Sequence, residues 1–327
     1  MSDFLKNKIQ QVTPQLFNRL ALDIFQYQAK ENPVYNQYLS LLNIDVKKIK
    51  TLTDIPFLPI SLFKTHSILT GNQPPEITFS SSGTTGQQTS LHQIVDPDFY
   101  TQNTFRAFTH FYGPIEHYCV LALLPAYLER TGSSLVYMVE QFIQRSQYST
   151  SGFYLDNLKK LAEQLSIQQE KGIPTLLIGV SFALLDLAEQ FPQNLSNITI
   201  METGGMKGRK KEITRTELHQ QLKTAFQVKN IHSEYGMTEL LSQAYARKDG
   251  WFSPAPTMRV LTREINDPYN YVNTGRTGLL NVVDLANVNS CSFVATDDLG
   301  QIRPDGQFRV LGRLDASDIR GCNLMVG

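Results

Sequence analysis

Five hydroxyl side chains and two glycines follow one another in one short run of this chain. The run is Ser80-Ser81-Ser82-Gly83-Thr84-Thr85-Gly86. Glycine adopts positive φ readily and lets successive backbone N–H groups converge on one point, which forms a nest for an anion. The serine and threonine hydroxyls can donate further hydrogen bonds to the same anion. The run, here named the hydroxyl loop, therefore predicts a phosphate-binding site.

The sequence on either side of the hydroxyl loop argues against the alternative, a flexible linker rich in serine and glycine. Ile77 to Phe79 precedes the loop and Leu91 to Val95 follows it, and both have the composition of strands. The chain contains no G-x-x-x-x-G-K-S/T motif and no G-x-G-x-x-G motif after a strand. A P-loop and a dinucleotide-binding turn are therefore excluded.

A second glycine-rich turn follows a predicted strand at Ile198 to Thr203. The turn is Gly204-Gly205-Met206-Lys207-Gly208. Open α/β folds bind ligands at the carboxyl ends of their strands, so this turn is a candidate ligand contact. A tight turn without a ligand is the alternative.

A third pattern combines a flat ring, a glycine, a hydroxyl and a carboxylate. It is Glu234-Tyr235-Gly236-Met237-Thr238-Glu239. An aromatic ring can stack on a base, and carboxylate oxygen is a ligand that Mg²⁺ prefers. The alternative is a core tyrosine followed by a turn and a helix N-cap at Thr238.

A fourth pattern lies near the carboxyl end. It consists of Thr296-Asp297-Asp298-Leu299-Gly300, then Asp305-Gly306-Gln307-Phe308, then Gly312-Arg313-Leu314-Asp315. The Asp-Gly pair is typical of a hairpin turn between two strands. The paired aspartates before it have no structural need to be there, which makes them candidate site residues.

Alternating strands and helices are predicted to position these patterns. Helical spacing of apolar residues predicts helices at residues 14–43 with a break at Asn32-Pro33, and at 98–111, 133–145, 155–169 and 182–190. Buried strands are predicted at 118–124, 175–179 and 198–203. After Gly250, strands are predicted at 258–261, 277–283, 292–296 and 308–311. This order predicts an α/β fold with a parallel, helix-covered sheet and a β-rich second part.

Composition limits the function classes. The chain has 327 residues, of which 41% are hydrophobic, and its 30 basic and 30 acidic residues leave no net charge. We therefore expect neither nucleic acid nor an anionic membrane surface as a partner. The longest apolar stretch, Thr175 to Ala188, is too short to span a bilayer, and the amino end has no apolar leader, so a cytoplasmic location is expected. The three cysteines form neither a disulfide framework nor a zinc spacing.

Taken in order, the four patterns resemble the adenylate-forming acyl-activating superfamily from about Ile77 to Asp315. The resemblance implies ATP and Mg²⁺ as cofactors and an α/β fold built around a large adenylation domain. It implies that this domain covers residues 1–311, with a helical lead-in at 1–75 and a β-rich subdomain at 250–311. Residues 312–327 would be a short tail carrying Cys322.

The resemblance also assigns the ATP contacts. The hydroxyl loop, from Ser80 to Gly86, would wrap the phosphates. The adenine would lie against Gly204, Gly205 and Met206. Tyr235 would stack on the base, with Glu234 and Gly236 as neighbouring ATP contacts.

The remaining nucleotide contacts follow from the same resemblance. Thr238 would contact the α-phosphate, and Glu239 would bind Mg²⁺. Asp298 aligns with the aspartate of the family's T-G-D pattern and would accept hydrogen bonds from the ribose hydroxyls, with Arg313 nearby. Asp297 stands where the family usually has glycine, so either aspartate can hold this place.

Two departures from the superfamily bear on catalysis. Gln87-Gln88-Thr89 replaces the usual lysine after T-T-G, as in the phenylacetate-ligase-like branch. The chain also ends twelve residues after Asp315, where the superfamily continues into a mobile domain of about a hundred residues. We therefore expect that domain to be absent or vestigial. The cation that it supplies is left to Lys64, Lys207, Arg313 or a partner chain.

The carboxyl end resembles that of the acyl-protein synthetases, which activate fatty acids for a fatty-acid reductase system. There the acyl group passes from acyl-AMP to a cysteine and then to a partner reductase or another acceptor, and Cys322 is the matching residue. Gly321 gives the thiol freedom, and Arg320 can favour its thiolate. An inert buried cysteine is the alternative, and it suits Cys119 and Cys291 better.

The expected reaction has two steps, formation of acyl-AMP and transfer of the acyl group to a thiol. Cys322, Arg313 and Lys207 are the candidate catalytic residues. A pocket for a fatty acid is expected near Tyr127 and Gly179. The expected partners are the fatty acid and an acyl-accepting protein such as a reductase or carrier. An acyl-CoA ligase and a non-catalytic nucleotide-binding subunit of a reductase complex remain alternatives.

Overall fold

The computed structural model describes residues 1–81, 88–124, 132–154, 157–204 and 213–314. These residues form two compact units. The first unit consists of Met1–Tyr100, Thr238–Ser242 and the described part of Ser253–Gly327. The second consists of Thr101–Met237 and Gln243–Phe252.

Helices and strands alternate through much of the chain. The described ranges hold eight α-helices: α1 (Ser2–Gln10), α2 (Phe17–Glu31), α3 (Pro33–Leu41), α4 (Pro97–Tyr112), α5 (Ser134–Arg145), α6 (Leu158–Lys171), α7 (Ser181–Gln190) and α8 (Arg215–Phe226). The same ranges hold fourteen strands: β1 (Leu58–Pro59), β2 (Ile77–Ser80), β3 (Leu91–Ile94), β4 (Cys119–Leu123), β5 (Gly152–Phe153), β6 (Thr175–Val180), β7 (Ile198–Thr203), β8 (His232–Tyr235), β9 (Ala244–Ala246), β10 (Ser253–Pro254), β11 (Met258–Arg263), β12 (Gly278–Asp284), β13 (Phe293–Ile302) and β14 (Phe308–Arg313).

The amino-terminal helices bury one apolar face each. In α2, residues Phe17, Leu20, Ala21, Ile24 and Phe25 are buried, which is the helical spacing that the sequence predicts. The break before α3 has a local cause, because the Asn32 side chain accepts a hydrogen bond from the Tyr35 backbone N–H at 2.9 Å. Proline follows at the first helical position, where its missing N–H costs nothing.

The sheet of the first unit is mostly antiparallel. Its strand order is β1-β13-β12-β11, and β14 also pairs with β13. Strand β13 spans ten residues and continues through Asp297 and Asp298, whereas the sequence predicts a strand that ends at Thr296. A separate antiparallel ribbon of β2 and β3 flanks the hydroxyl loop and confirms both strands predicted there.

The sheet of the second unit is parallel through β5, β4, β6, β7 and β8, and β9 pairs antiparallel with β8. Strand β4 is buried along its whole length, as expected for a strand covered on both faces. Helices α6, α7 and α8 contribute Leu161, Leu184 and Leu222 to one buried cluster with strand residues Leu121 and Ile200. The predicted α/β fold is confirmed.

Differences from the predicted elements have local causes. Helix α1 is not predicted, because its nine residues bury only Leu5, Lys6 and Ile9. Helix α6 begins at Leu158 because the Asn157 side chain caps it, accepting from the Lys160 backbone N–H at 2.9 Å. The division into residues 1–311 and 312–327 stays a prediction. In the parts of the chain that the structure describes, no helix has the length and apolar character needed to cross a membrane.

Candidate active site

In the first unit, the ribbon of β2 and β3 closes the base of the hydroxyl loop. The Ser81 backbone N–H donates to the Ser90 carbonyl oxygen at 3.0 Å. The Ser81 hydroxyl accepts from the Ser90 backbone N–H at 2.9 Å. Ser80 pairs with Leu91 across the ribbon. The other predicted phosphate contacts, Ser82, Gly83, Thr84, Thr85 and Gly86, lie outside the described residues.

Glu239 lies beside three polar residues of the same unit. The Ser90 hydroxyl donates to its carboxylate, and Arg313 and Asp298 are its charged neighbours. Burial raises the pKa of the Glu239 carboxyl and Asp298 adds to the rise, while Ser90 and Arg313 oppose it. The structure therefore brings together Glu239, Asp298 and Arg313, which the sequence predicts as site residues.

The backbone carbonyl oxygens of Thr238 and Glu239 each accept a hydrogen bond from a further side chain. His92 Nδ1 lies 2.8 Å from the Thr238 carbonyl oxygen, and Asn287 Nδ2 donates to the Glu239 carbonyl oxygen at 2.8 Å. Burial lowers the pKa of His92 to about 4, so its ring is neutral at pH 7 and Nδ1–H donates. Among the described residues, His92 Nε2 has no hydrogen-bond partner.

The turn after Glu239 is fixed by a buried carboxylate. Asp284 Oδ2 accepts from the backbone N–H groups of Leu241 at 2.7 Å and Ser242 at 3.0 Å. Its Oδ1 accepts from the Ser242 hydroxyl at 2.6 Å and the Ala286 N–H at 3.0 Å. Burial raises the pKa of Asp284, and the four donors oppose that rise. Sequence reasoning missed Asp284 and His92, because their partners lie far away along the chain.

The two adjacent aspartates of β13 have different surroundings. Asp298 is 8% exposed and lies opposite Arg313 in the pairing of β13 with β14. Asp297 Oδ2 is 3.5 Å from Arg313 Nη2, and both of these side chains are nearly half exposed. Successive strand residues point to opposite faces. Because Asp298 is the one near Glu239, its surroundings favour it over Asp297 for the predicted ribose contact.

In the second unit, Glu234 and Thr203 face each other at the carboxyl ends of neighbouring parallel strands. They are register partners of β8 and β7, and Thr203 Oγ1 donates to Glu234 Oε2 at 2.6 Å. Glu234 is 8% exposed. Burial, with a smaller contribution from Glu202, raises the pKa of Glu234 to about 7.

Glu202, two strand positions from Gly204, has the opposite electrostatic setting. Its Oε1 accepts from Arg215 Nε at 3.2 Å and lies 3.5 Å from His219 Nε2. Burial opposes ionisation, but His219 and Arg215 bring the pKa of Glu202 below its ordinary value. Of these two buried carboxyl groups, Glu202 is therefore charged near neutral pH, while Glu234 is close to half protonated.

Two of the predicted glycine contacts of this unit, Gly236 and Gly204, lie where glycine is favoured. A Cβ at Gly236 would lie 2.6 Å from Glu234 Oε1. Gly204 has a φ of +72°, which favours glycine, and its carbonyl oxygen accepts from the Ser181 hydroxyl at 3.2 Å. Gly205, Met206 and Lys207 lie outside the described residues.

Tyr235 packs as a buried residue. It is 9% exposed, and its ring centroid lies 5.7 Å from that of Phe252. Its hydroxyl donates to Met237 Sδ at 3.4 Å. Thr238 begins a turn and not a helix, so the helix N-cap alternative for Thr238 is wrong. Stacking of Tyr235 on adenine stays a prediction.

The described part of the predicted acyl pocket is tightly packed. A Cβ at Gly179 would lie 2.9 Å from the Leu123 carbonyl oxygen and 3.1 Å from the Leu184 side chain. Gly179 thus permits a close approach between β4 and β6. Tyr127 lies outside the described residues.

Cys119 and Cys291 are buried free thiols, as the sequence favours. Burial raises the pKa of Cys291 to about 12 and also raises that of Cys119. Both are therefore poor nucleophiles. Cys322 lies outside the described residues.

The donor set around Glu239 fits a magnesium ion that arrives with a nucleotide. Within the described ranges, no three residues among His, Cys, Asp and Glu form a group that could hold a metal. Mg²⁺ usually takes one or two protein carboxylates together with phosphate oxygens and water. Glu239 supplies one such carboxylate, and the Ser90 hydroxyl donates to it.

One known protein family matches nearly the whole chain. The family model described as "Acyl-protein synthetase, LuxE" matches residues 4–327. A long-chain-fatty-acid–luciferin-component ligase from Vibrio harveyi is 23% identical over 338 residues, covering 95% of this chain and 87% of that protein.

Solved structures with a similar fold include a CoA ligase and an ATP-bound protein. A 2-hydroxyisobutyryl-CoA ligase in complex with 2-HIB-AMP has a TM-score of 0.66 at 13% identity, covering 91% of this chain and 68% of its own. ATP-bound MatB from Rhodopseudomonas palustris has a TM-score of 0.55 at 15% identity and covers 72% of this chain. The present chain spans 47% of that MatB chain. The predicted adenylate-forming fold is confirmed.

Proposed function

The chain belongs to the acyl-protein synthetase LuxE family, and on that premise we propose that it activates a long-chain fatty acid with ATP and transfers the acyl group to a protein thiol. In the first step a carboxylate oxygen bonds to the α-phosphorus of ATP, the bond to the β-phosphate oxygen breaks, and pyrophosphate leaves. In the second step a thiolate sulfur bonds to the acyl carbon and AMP leaves with the electron pair of the broken bond. The product is a thioester.

The observation that carries the proposal is the grouping of Glu239, Asp298 and Arg313 near Ser90, at the base of the hydroxyl loop. The first step transfers no proton at the reacting atoms, so it needs positioning and charge neutralisation. Glu239 would hold Mg²⁺, which neutralises phosphate charge when bound. Asp298 would accept from the ribose hydroxyls, and Arg313 would supply a cation. Lys207 and Lys64 are the other candidates for that cation.

The described residues proposed to contact the adenine base are Gly204, Tyr235 and Gly236. Gly204, Tyr235 and Gly236 lie at the carboxyl ends of β7 and β8, where parallel sheets bind ligands. Glu234, which is close to half protonated near neutral pH, can donate as well as accept there.

The proposed acceptor is Cys322, from which the acyl group would pass to an acyl-accepting protein such as a reductase or carrier. The buried positions and raised pKa values of Cys119 and Cys291 support this choice among the three cysteines. The Vibrio harveyi relative is by name a ligase of a long-chain fatty acid, which supports a fatty acid as substrate. Use of ATP would place the reaction in the cytoplasm.

Exchange between ATP and pyrophosphate tests the first step. We expect exchange that requires both Mg²⁺ and an added fatty acid, with a panel of chain lengths defining the preferred acid. Glu239→Gln should lower the rate by about a hundredfold or more, as loss of a charge-stabilising contact does. The exposed Glu76→Gln is the matched control and should leave the rate unchanged. Absence of exchange with every acid, also in the presence of a reductase partner, would reject the enzymatic function.

Covalent capture tests the second step. Radiolabelled fatty acid should become attached to the protein through a hydroxylamine-sensitive bond in the presence of ATP. Cys322→Ser should abolish the label, whereas Cys291→Ser should retain it. If label appears only in acyl-CoA after coenzyme A is added, and never in protein, the protein is an acyl-CoA ligase instead.

A further inference from the structure

The five residues that include Glu239 belong to the first unit, although the residues before and after them belong to the second. Within the first unit, Thr238 and Glu239 contact the strand that leaves the hydroxyl loop. The Ser90 hydroxyl donates to the Glu239 carboxylate, and His92 Nδ1–H donates to the Thr238 carbonyl oxygen at 2.8 Å. Contacts so far along the chain are built by the fold and not by local sequence.

Ser90 lies immediately before β3, and His92 is the second residue of that strand. Residues two apart in an extended strand point to the same face. Ser90 therefore contacts the Glu239 carboxylate, while His92 contacts the backbone carbonyl oxygen of the preceding residue, Thr238. Ser90 also pairs with Ser81 at the base of the hydroxyl loop, through two hydrogen bonds of 3.0 Å and 2.9 Å.

We infer that His92 and Ser90 are positioning residues that fix the Glu239 carboxylate toward a divalent cation bound with a nucleoside triphosphate, and that tie it to the hydroxyl loop. This inference rests on the proposed cation-binding role of Glu239. Neither residue need touch the nucleotide.

The surroundings of His92 indicate whether the residue positions Thr238 or only fills space in the core. The side chain is 1% exposed, and its ring meets the edge of Phe63 at a centroid distance of 5.5 Å. A buried acceptor without a partner destabilises a protein, and within the described ranges His92 Nε2 is such an atom. If only a ring were needed to fill the space, phenylalanine would avoid that cost. The hydrogen bond from Nδ1 to Thr238 is what a histidine adds.

Two substitutions at His92 divide these roles. His92→Phe keeps a ring but removes the donor, whereas His92→Asn keeps a donor close to the position of Nδ1 but loses the ring. We expect His92→Phe to weaken Mn²⁺ binding in the presence of α,β-methylene-ATP about tenfold, the effect of losing one buried hydrogen bond. His92→Asn should bind Mn²⁺ nearly as wild type does, although both variants lose stability. Electron paramagnetic resonance of free Mn²⁺ measures this binding without catalysis.

Ser90→Ala is a second variant that changes little volume, and we expect it to weaken Mn²⁺ binding in the same direction. Nitrogen-15 spectra of the histidine rings supply a readout on the folded wild type. His92 should appear as the neutral form with its proton on Nδ1 at pH 7. A proton on Nε2, equal Mn²⁺ affinities for His92→Phe and His92→Asn, or wild-type affinity in His92→Phe and Ser90→Ala would overturn the inference.

The same titration separates this inference from the proposed function. Loss of Mn²⁺ binding in Glu239→Gln together with wild-type binding in His92→Phe rejects the positioning role alone. Wild-type binding in Glu239→Gln rejects the role of Glu239 and the positioning role with it. Mn²⁺ binding that depends on both Glu239 and His92, in a protein without exchange activity, rejects the reaction and supports the positioning role.

Discussion

Among single residues, Glu202 and Glu234 show how neighbouring carboxyl groups acquire opposite properties. Both are more than nine-tenths buried on adjacent strands. Arg215 and His219 stabilise the charge of Glu202, whereas Glu234 has a neutral donor, Thr203, and the charge of Glu202 nearby. Burial therefore decides the protonation of Glu234 and not that of Glu202.

The titration of Glu234 should appear in the stability of the protein. Its folded pKa of about 7 lies above the ordinary value of 4.5, so the folded state binds the proton more tightly than the unfolded state. This contribution is fully present below pH 4.5 and is lost as the pH rises through 7. It amounts to about 3 kcal/mol. Glu234→Gln stays neutral, so its free energy of unfolding relative to wild type should rise between pH 5 and pH 8. Urea unfolding across that range measures the difference, and parallel pH profiles would contradict the assignment.

We expect glycine at position 236 to be needed because a side chain there would clash with Glu234, and not because of its backbone conformation. A Cβ there would lie 2.6 Å from Glu234 Oε1, so Gly236→Ala should destabilise the protein by about 1 to 3 kcal/mol. Removing the clashing group in the double variant with Glu234→Ala should make the added methyl nearly neutral. Gly312→Ala is the control, since a Cβ at Gly312 meets no atom of the described residues within 4 Å. Thermal unfolding of the wild type, the two single variants, the double variant and the control tests this, and additive effects of the two single substitutions would contradict it.

Among the elements, the segment Thr238–Ser242 depends on Asp284. Both carboxylate oxygens of Asp284 accept from two donors each. Asp284→Asn places an amide group where donors already point, so we expect a loss of about 2 to 4 kcal/mol in stability and a further loss of exchange activity. Asp305→Asn is the control, because asparagine also suits an exposed turn. Urea unfolding and exchange assays measure the two losses, and equal stability of the two variants would show that Asp284 is not an anchor.

The sequence predicts most elements because their signals are local. The apolar spacing of α2, the buried run of β6 and the strands around the hydroxyl loop each lie within one short segment. The extension of β13 through Asp297 and Asp298 depends on its pairing with β12 and β14, which local sequence does not reveal. The contact of His92 with Thr238 is likewise built only by tertiary structure.

For the molecule as a whole, the order of motifs predicts the fold and the candidate site residues. It does not predict the contacts of His92 and Asp284 that position the segment Thr238–Ser242. Asp298 and Arg313 are charged neighbours of Glu239, and the roles of these three residues in binding a nucleotide stay predictions. The predicted contacts at Ser82 to Gly86, Gly205 to Lys207, Tyr127 and Cys322 lie outside the described residues and stay predictions.

The reactivity of Cys119 and Cys291 with an alkylating reagent tests whether both cysteines are buried in the folded chain. The rise in the pKa of Cys291 from 9.0 to about 12 lowers its thiolate fraction about a thousandfold. Iodoacetamide should therefore leave Cys291 and Cys119 unmodified in the native protein, and urea should expose both. Mass spectrometry of peptides identifies the modified residues. Rapid native modification of Cys291 would contradict its buried position.

The membership of Thr238–Ser242 in the first unit also sets an order of assembly during synthesis on the ribosome. Every residue of the second unit has been made once Phe252 is in place, but Asp284 and Asn287 are added later. Ser90, whose hydroxyl donates to the Glu239 carboxylate, is made earlier, whereas Asp298 and Arg313 are added later still. A nascent chain can therefore complete its parallel sheet before the Glu239 carboxylate, proposed to bind the cation, is held in place. The proposed acyl activation would begin only after Asp284 and Asn287 have been translated as well as Ser90 and His92.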